Sequence, residues 1–163
     1  MALSLLSRPR RHAEAIEDAS FGIDHLVRNV EHGRFERALS GLTAGAAVIT
    51  GAEIFLEHDR ASFGNRMMWL PVGLTPFVAA AGVAGVLDRR AAKTVLPVVS
   101  AAAVVNGLQG TYLHIRGIAQ RPGGWRFARY NTEMGPPLFA PLLFAMVGGM
   151  GLLAAILRRE GGR

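Results

Sequence analysis

The sequence predicts an all-α integral membrane protein: a four-helix bundle, with an amphipathic helix lying on the membrane surface ahead of it. Two observations carry this expectation. Half of the 163 residues are apolar, and they gather in four blocks at 38–57, 67–87, 93–115 and 136–157. Each block is close to the roughly 20 residues that an α-helix needs to cross a hydrocarbon core. The charges, in turn, lie almost wholly between the blocks. Twelve of the 18 Lys and Arg residues fall before block one, between blocks two and three, or after block four; six fall in the other two connections. Positive charge is held back on the cytoplasmic side during insertion, so both termini are expected inside the cell, at a bacterial inner membrane. The net charge of +6 then follows from topology and does not call for nucleic acid.

Residues 1–37 are expected to form a cytoplasmic segment. Within it, Ile16, Ile23, Leu26, Val27 and Val30 recur at helical spacing among Glu14, Glu17, Asp18, Asp24, Arg28 and Glu31. That pattern gives one apolar and one charged face, suited to an interfacial helix or to a partner. Gly33 is expected to end it. Met1–Leu6 is too short an apolar run, and too poor in preceding charge, to read as a cleaved signal.

The transmembrane domain is expected over 38–163. Its first helix runs to His58, and a short polar turn follows at 59–66. The second block carries Pro71 and Pro76 near its outer end, and a tight inner turn is expected at Asp88, Arg89 and Arg90. The third helix is expected to end near His114. The outer connection 116–135 is the longest and turns at Arg121-Pro122-Gly123-Gly124. Pro136 and Pro137 are expected to open the fourth helix, where a missing backbone donor costs little.

An internal similarity runs through the chain. Residues 46–58 align without gaps on 102–114, matching at Ala46, Ala47, Val48, Gly51 and His58, five positions in 13. Met68, Pro71 and Pro76 recur as Met134, Pro137 and Pro141 with nearly the same spacing. A true repeat would make the bundle two tandem helical hairpins related by an axis along the membrane normal.

His58 and His114 are the residues that carry chemistry in this pattern. Each ends a stripe of small residues, Ala44, Ala47 and Gly51 on one helix and Ala103, Gly107 and Gly110 on the other. Two imidazoles facing across such a groove would suit axial ligation of a b-type haem iron. The competing expectation is that both are interfacial residues satisfying helix ends. Thr50, Glu53 and Glu57 share another face of the first helix, and Asn106 and Gln109 the matching face of the third. They are expected to form a buried polar network between helices. Glu53 is also the one candidate for a proton-coupled transport site, because a carboxylate inside a span is costly. His58 with Glu53 and Glu57 would be a reasonable divalent-metal set, although its spacing fits no established motif.

Arg121, Trp125, Arg126, Phe127, Arg129 and Tyr130 combine the side chains that dominate docking surfaces and membrane interfaces. They form the expected partner surface. Glycines at 41, 45, 148, 149 and 151 point to close helix packing. The chain has no cysteine, which excludes disulfides, iron–sulfur clusters, thiolate metal sites and c-type haem within it. It carries no phosphate-binding loop, nucleophile elbow or metalloprotease His pair. Its size and plan resemble the four-helix membrane anchors of respiratory dehydrogenases, a likeness of plan and not of motif. The expected function is therefore an anchor or accessory subunit of a larger membrane complex, either redox-active through haem or purely structural, with a small Glu53-dependent transporter as the remaining alternative.

Overall fold

Glycine and alanine spacing decides how the helices meet. The computed structural model describes residues 33–158. Among them, four long helices, one short one and two 3-10 turns succeed one another without strands. Helix α1 is Arg34–Arg60 and follows Gly33, whose φ is +66°. A 3-10 turn at Arg66–Met68 leads into α2, Trp69–Leu87. Helix α3 is Arg89–Ala119. A second 3-10 turn, Gly124–Phe127, is followed by α4, Ala128–Glu133, and by α5, Ala140–Leu157. Helices α1, α3 and α5, and the stretch Arg66–Leu87 that contains α2, are long and apolar enough to cross a membrane.

Several boundaries differ from expectation. Helix α1 begins at Arg34, so residues 34–37 belong to it and not to a separate cytoplasmic helix. The rest of the expected amphipathic helix, 11–32, lies outside the described residues. Helix α3 does not stop near His114 but continues to Ala119, carrying one and a half more turns of what was expected to be loop. The fourth long helix starts at Ala140, not at Pro136. Pro137 pushes Pro136 out of the helical region, so the tandem prolines delay the helix that a single proline would open. The inner turn is as tight as the sequence implied. Asp88 is its only non-helical residue, and its carboxylate accepts from the Ala91 amide at 2.8 Å, capping α3. That bond, with one from the Arg90 amide, holds the Asp88 carboxyl below the usual carboxylate range.

Residues 36–158 form one compact unit. One core cluster draws on all four long helices through Ala47, Val78, Ala103, Phe144 and Val147. A second joins Ala81, Leu96 and Ala154. Phe144 is the largest fully buried side chain, and most of the rest of the interior is small or hydroxylated. The helices therefore touch through backbone. A Cβ on Gly82 would stand 2.8 Å from the Ser40 carbonyl oxygen and the Ala44 amide nitrogen, so α2 lies directly on α1. A Cβ on Gly107 would stand 2.6 Å from the Pro141 carbonyl oxygen and the Ala145 amide nitrogen, which sets α3 on α5. Gly148 meets the Ser100 carbonyl oxygen in the same way at 2.5 Å. Ser40, Thr43, Thr75 and Thr111 return their hydroxyls to carbonyls one turn back on their own helices, so these interior oxygens are satisfied without a partner helix.

Gly107→Ala should lower the midpoint of thermal unfolding in detergent, because the backbones must part; overpacking of this kind costs about 1–3 kcal/mol. Gly149→Ala, where nothing lies within 4 Å of the added carbon, should leave the midpoint unchanged or raise it. Equal losses at both positions would mean that glycine acts through helix propensity and not through close approach.

Candidate functional site

His58 and His114 lie at the same end of the unit, near enough for their charges to interact. His58 sits in the last turn of α1. Its ring meets the edge of Phe63 at 6.1 Å between centroids, and the Met68 backbone faces it from the start of α2. Its Nδ1 is buried without a hydrogen-bond partner. His114 lies one turn before the end of α3. Its Nδ1 is 2.7 Å from the carbonyl oxygen of Pro137. A carbonyl only accepts, so this nitrogen is the donor, which in a neutral ring leaves Nε2 with its lone pair. Each histidine thus reaches across to the peptide that leads into the next long helix.

The turn holding His58 is built under strain. Ser62 and Phe63 both adopt positive φ, +53° and +46°, where L-residues are disfavoured by about 1–2 kcal/mol each. In that conformation the Phe63 amide donates to the His58 carbonyl at 2.9 Å, closing α1. The Phe63 ring is delivered onto Trp69 at 3.9 Å and beside Phe55 at 5.7 Å. Stacking offsets the backbone cost. At the corresponding corner after α3, glycines supply the positive φ instead, at Gly123 and Gly124.

The donor set suits a haem iron: two imidazoles, one already oriented by a carbonyl as ligating histidines commonly are, the other with an orphaned buried nitrogen. The slot does not fit. The small-residue stripes that were to line it are spent on helix contacts, Gly51 against Thr75 of α2, Gly107 and Gly110 against Pro141 of α5. A planar macrocycle between α1 and α3 requires those helices to separate.

The expected buried network does not form. Asn106 is buried and Thr50 and Glu57 are half-buried, but Glu53 and Gln109 are exposed, and no hydrogen bond joins any two of the five. Glu57 pairs with Arg60 at 2.6 Å. Each set shares one face of its helix, but on α1 that face lies at the edge of the core with Glu53 outward, and on α3 only Asn106 of the pair reaches the interior. Nor do His58, Glu53 and Glu57 assemble as a metal set; no cluster of three or more such ligands occurs among the described residues.

Of the expected docking residues, Trp125, Arg126, Phe127, Arg129 and Tyr130 are exposed and Arg121 is half-buried. They stand on a defined scaffold. The buried Asn131 side chain donates to the carbonyls of Pro122 at 3.2 Å and Gly124 at 2.8 Å, tying the turn to α4. Arg129 pairs with Glu133 at 3.0 Å.

Sequence reasoning missed the opposite end. Glu36 is fully buried, with neither carboxylate oxygen hydrogen-bonded, and lies within electrostatic range of Arg158. Arg158 is itself buried and donates to the Gly85 carbonyl at 3.0 Å, while Lys93 donates to the Ala155 carbonyl at 2.9 Å. Two cations thus cap the C-terminal ends of α2 and α5. Glu36 stood among charged residues assigned to the surface, and only tertiary packing reveals its burial.

Ser62→Gly should raise the unfolding midpoint by relieving strain, whereas Phe63→Gly should lower it by removing the stack on Trp69. A gain from both would show that the ring contributes nothing. The chain matches no known protein-family model, no curated protein and no solved structure.

Proposed function

We propose that the protein is a multi-pass membrane subunit, a four-helix bundle that anchors a larger complex to the bilayer, with both termini on the cytoplasmic side. The observation that carries this reading is the inverted distribution of polarity. Leu42, Ile49, Phe77, Val98, Val105, Leu143, Met146 and Ile156 are exposed, each by more than half of its surface. Ser40, Thr43, Thr75, Ser100 and Asn106 are buried. Exposed apolar surface this extensive is unstable in water and suits hydrocarbon. With no hydrophobic drive between helices in lipid, association rests on close backbone contact, as at Gly82, Gly107 and Gly148.

A subunit role is supported by what the unit offers. The groove between α1 and α2, about 240 Å³, is lined by Val48, Gly51, Val72, Thr75, Pro76 and Ala79 and contains no group able to titrate or attack. The exposed aromatic and Arg residues of 121–130 supply a surface for assembly. Transport through Glu53 is disfavoured because that carboxylate faces away from the interior. Haem ligation by His58 and His114 stands as a second reading, supported by the Pro137 carbonyl on His114 and the orphaned nitrogen on His58, and opposed by the filled stripes.

The chain should remain in the membrane pellet after alkaline carbonate extraction; release into the supernatant would overturn the reading. The absence of cysteine allows a direct topology test. Ser62→Cys should be labelled by an impermeant maleimide from outside intact cells, and Arg90→Cys only after permeabilisation. A reduced-minus-oxidised spectrum of protein from haem-replete cells decides the second reading: a sharp α-band lost in both His58→Ala and His114→Ala establishes ligation, and a featureless spectrum removes it.

A further inference from the structure

The end of the unit at which α1 and α3 begin and α2 and α5 finish holds an excess of positive charge. Arg34, Arg37, Arg89, Arg90, Lys93 and Arg158 stand there against two carboxylates, Glu36 and Asp88. Neither carboxylate is offered to the surface. Glu36 is fully buried, and Asp88 is engaged by the amides at the start of α3. The opposite end is more nearly balanced, six cations to four carboxylates, and Arg60 and Arg129 form ion pairs there with Glu57 and Glu133.

The cations are also brought together. Lys93 bonds to the carbonyl of Ala155, three residues before Arg158. The face of α3 that carries Lys93, with Arg89 one turn before it, is therefore turned toward the end of α5. Arg37 and Arg89 lie near enough to the Arg158 guanidinium to repel it. Three helices thus bring like charges to one patch, in which Arg37, Arg89 and Lys93 are exposed and Arg158 is buried.

We propose that this patch binds the phosphate of an anionic phospholipid in the adjoining leaflet. Depth and charge complementarity fix the occupant. Under the membrane reading above, on which the proposal rests, four spanning helices end here at the level of the lipid headgroups. Arginine meets phosphate through charge-assisted, bidentate bonds, and basic sites at the cytoplasmic ends of spanning helices suit anionic headgroups. The rest of the chain leaves the excess in place. Residues 1–32 and 159–163 carry six cations and six carboxylates, so the twelve cations and six carboxylates of the described residues account for the whole net charge of +6. A second copy inserted in the same orientation brings the same excess to the same depth. Lys93 and Arg158 are tied to helix-end carbonyls, which holds their charges at the bilayer boundary and not out toward an acidic protein. Val95, Leu153 and Ile156, exposed within about two turns of these cations along their helices, offer apolar surface to the acyl chains.

The test uses the full chain reconstituted in phosphatidylcholine vesicles. Because the chain has no cysteine, Thr94→Cys places a single bimane label beside Lys93, and Ile115→Cys places a control toward the other end of α3. Quenching by phosphatidylglycerol carrying a doxyl group near its headgroup is compared with quenching by phosphatidylcholine carrying it at the same carbon. Phosphatidylglycerol should be enriched about threefold or more around position 94 and not around position 115. Arg37→Gln with Arg89→Gln should abolish the enrichment, and Lys93→Arg should keep it. With all the cations in place, raising salt from about 0.1 M to about 1 M should abolish it as well, because the Debye length falls to about 3 Å. That arm does not depend on how a variant folds. Equal quenching by the two lipids at position 94, equal enrichment at both labels, or enrichment indifferent to salt and to the double substitution overturns the proposal. Displacement of the lipid by millimolar inorganic phosphate at constant ionic strength assigns the patch to a soluble anion and overturns it. Capture of a polyglutamate peptide in preference to the lipid assigns the patch to an acidic protein and overturns it too. A chain that resists carbonate extraction but shows no lipid preference removes this proposal alone; carbonate release removes the membrane reading with it.

Discussion

Backbone-to-backbone contact is the constraint on which the rest of the structure depends. At Gly82, Gly107 and Gly148 there is no room for a single added carbon between neighbouring helices. Where the helices approach this closely, small side chains such as Ala47 and Ala103 fit between them, and Phe144, Leu96 and Ile118 are the large apolar side chains that the interior keeps. Most other large apolar side chains lie on the outside. The inverted polarity and the filled haem slot therefore have the same origin. A bundle that closes on glycine cannot also keep a wide groove at the same level.

Closure also determines where polar groups go. Most interior hydroxyls return to their own helices, as Ser40 does to Glu36 and Thr75 to Pro71, while that of Ser100 has no partner. Such bonds cost no interhelical geometry and let the backbones stay in contact. Longer polar side chains have no such option. Asn106 is accommodated, but Glu53 and Gln109 are turned outward. At the two ends of the bundle, charged groups take over. Lys93 and Arg158 seal the C-terminal carbonyls of α5 and α2. His114 ties α3 to Pro137 at the opposite end.

How legible this was depended on the kind of signal. The four apolar blocks were plain, because hydropathy over about 20 residues reflects local composition alone. Helix ends were less so. The chain continues α3 past Arg116 to Ala119, and the helix after Pro136-Pro137 begins only at Ala140, and neither boundary registers in a hydropathy average. Faces were legible only as periodicity. Thr50, Glu53 and Glu57 do share a side of α1, but which side meets the core depends on where Gly51 meets Thr75. Their polarity suggested an interior; the position of the glycine places it elsewhere. Glu36 left no trace in the sequence, since burial of a lone carboxylate is a property of the assembled end and not of its neighbours in the chain.

The correspondence between the two halves extends beyond the first alignment. Asn65, Met68, Pro71, Gly82 and Gly85 have counterparts at a constant offset in Asn131, Met134, Pro137, Gly148 and Gly151. Gly51 meets Thr75 and Gly107 meets Pro141, the glycines 56 residues apart and their partners 66. Packing positions are thus partly shared, and the departures are visible against them. They concentrate at two places. After α1 the chain turns within a few strained residues at Ser62 and Phe63, while after α3 it extends through Gly123 and Gly124 into α4 and an exposed array of Trp125, Phe127 and Tyr130. The outward stripe of α1 is small and acidic where that of α3 is bulky and neutral. The differences lie on surfaces that the bundle does not consume.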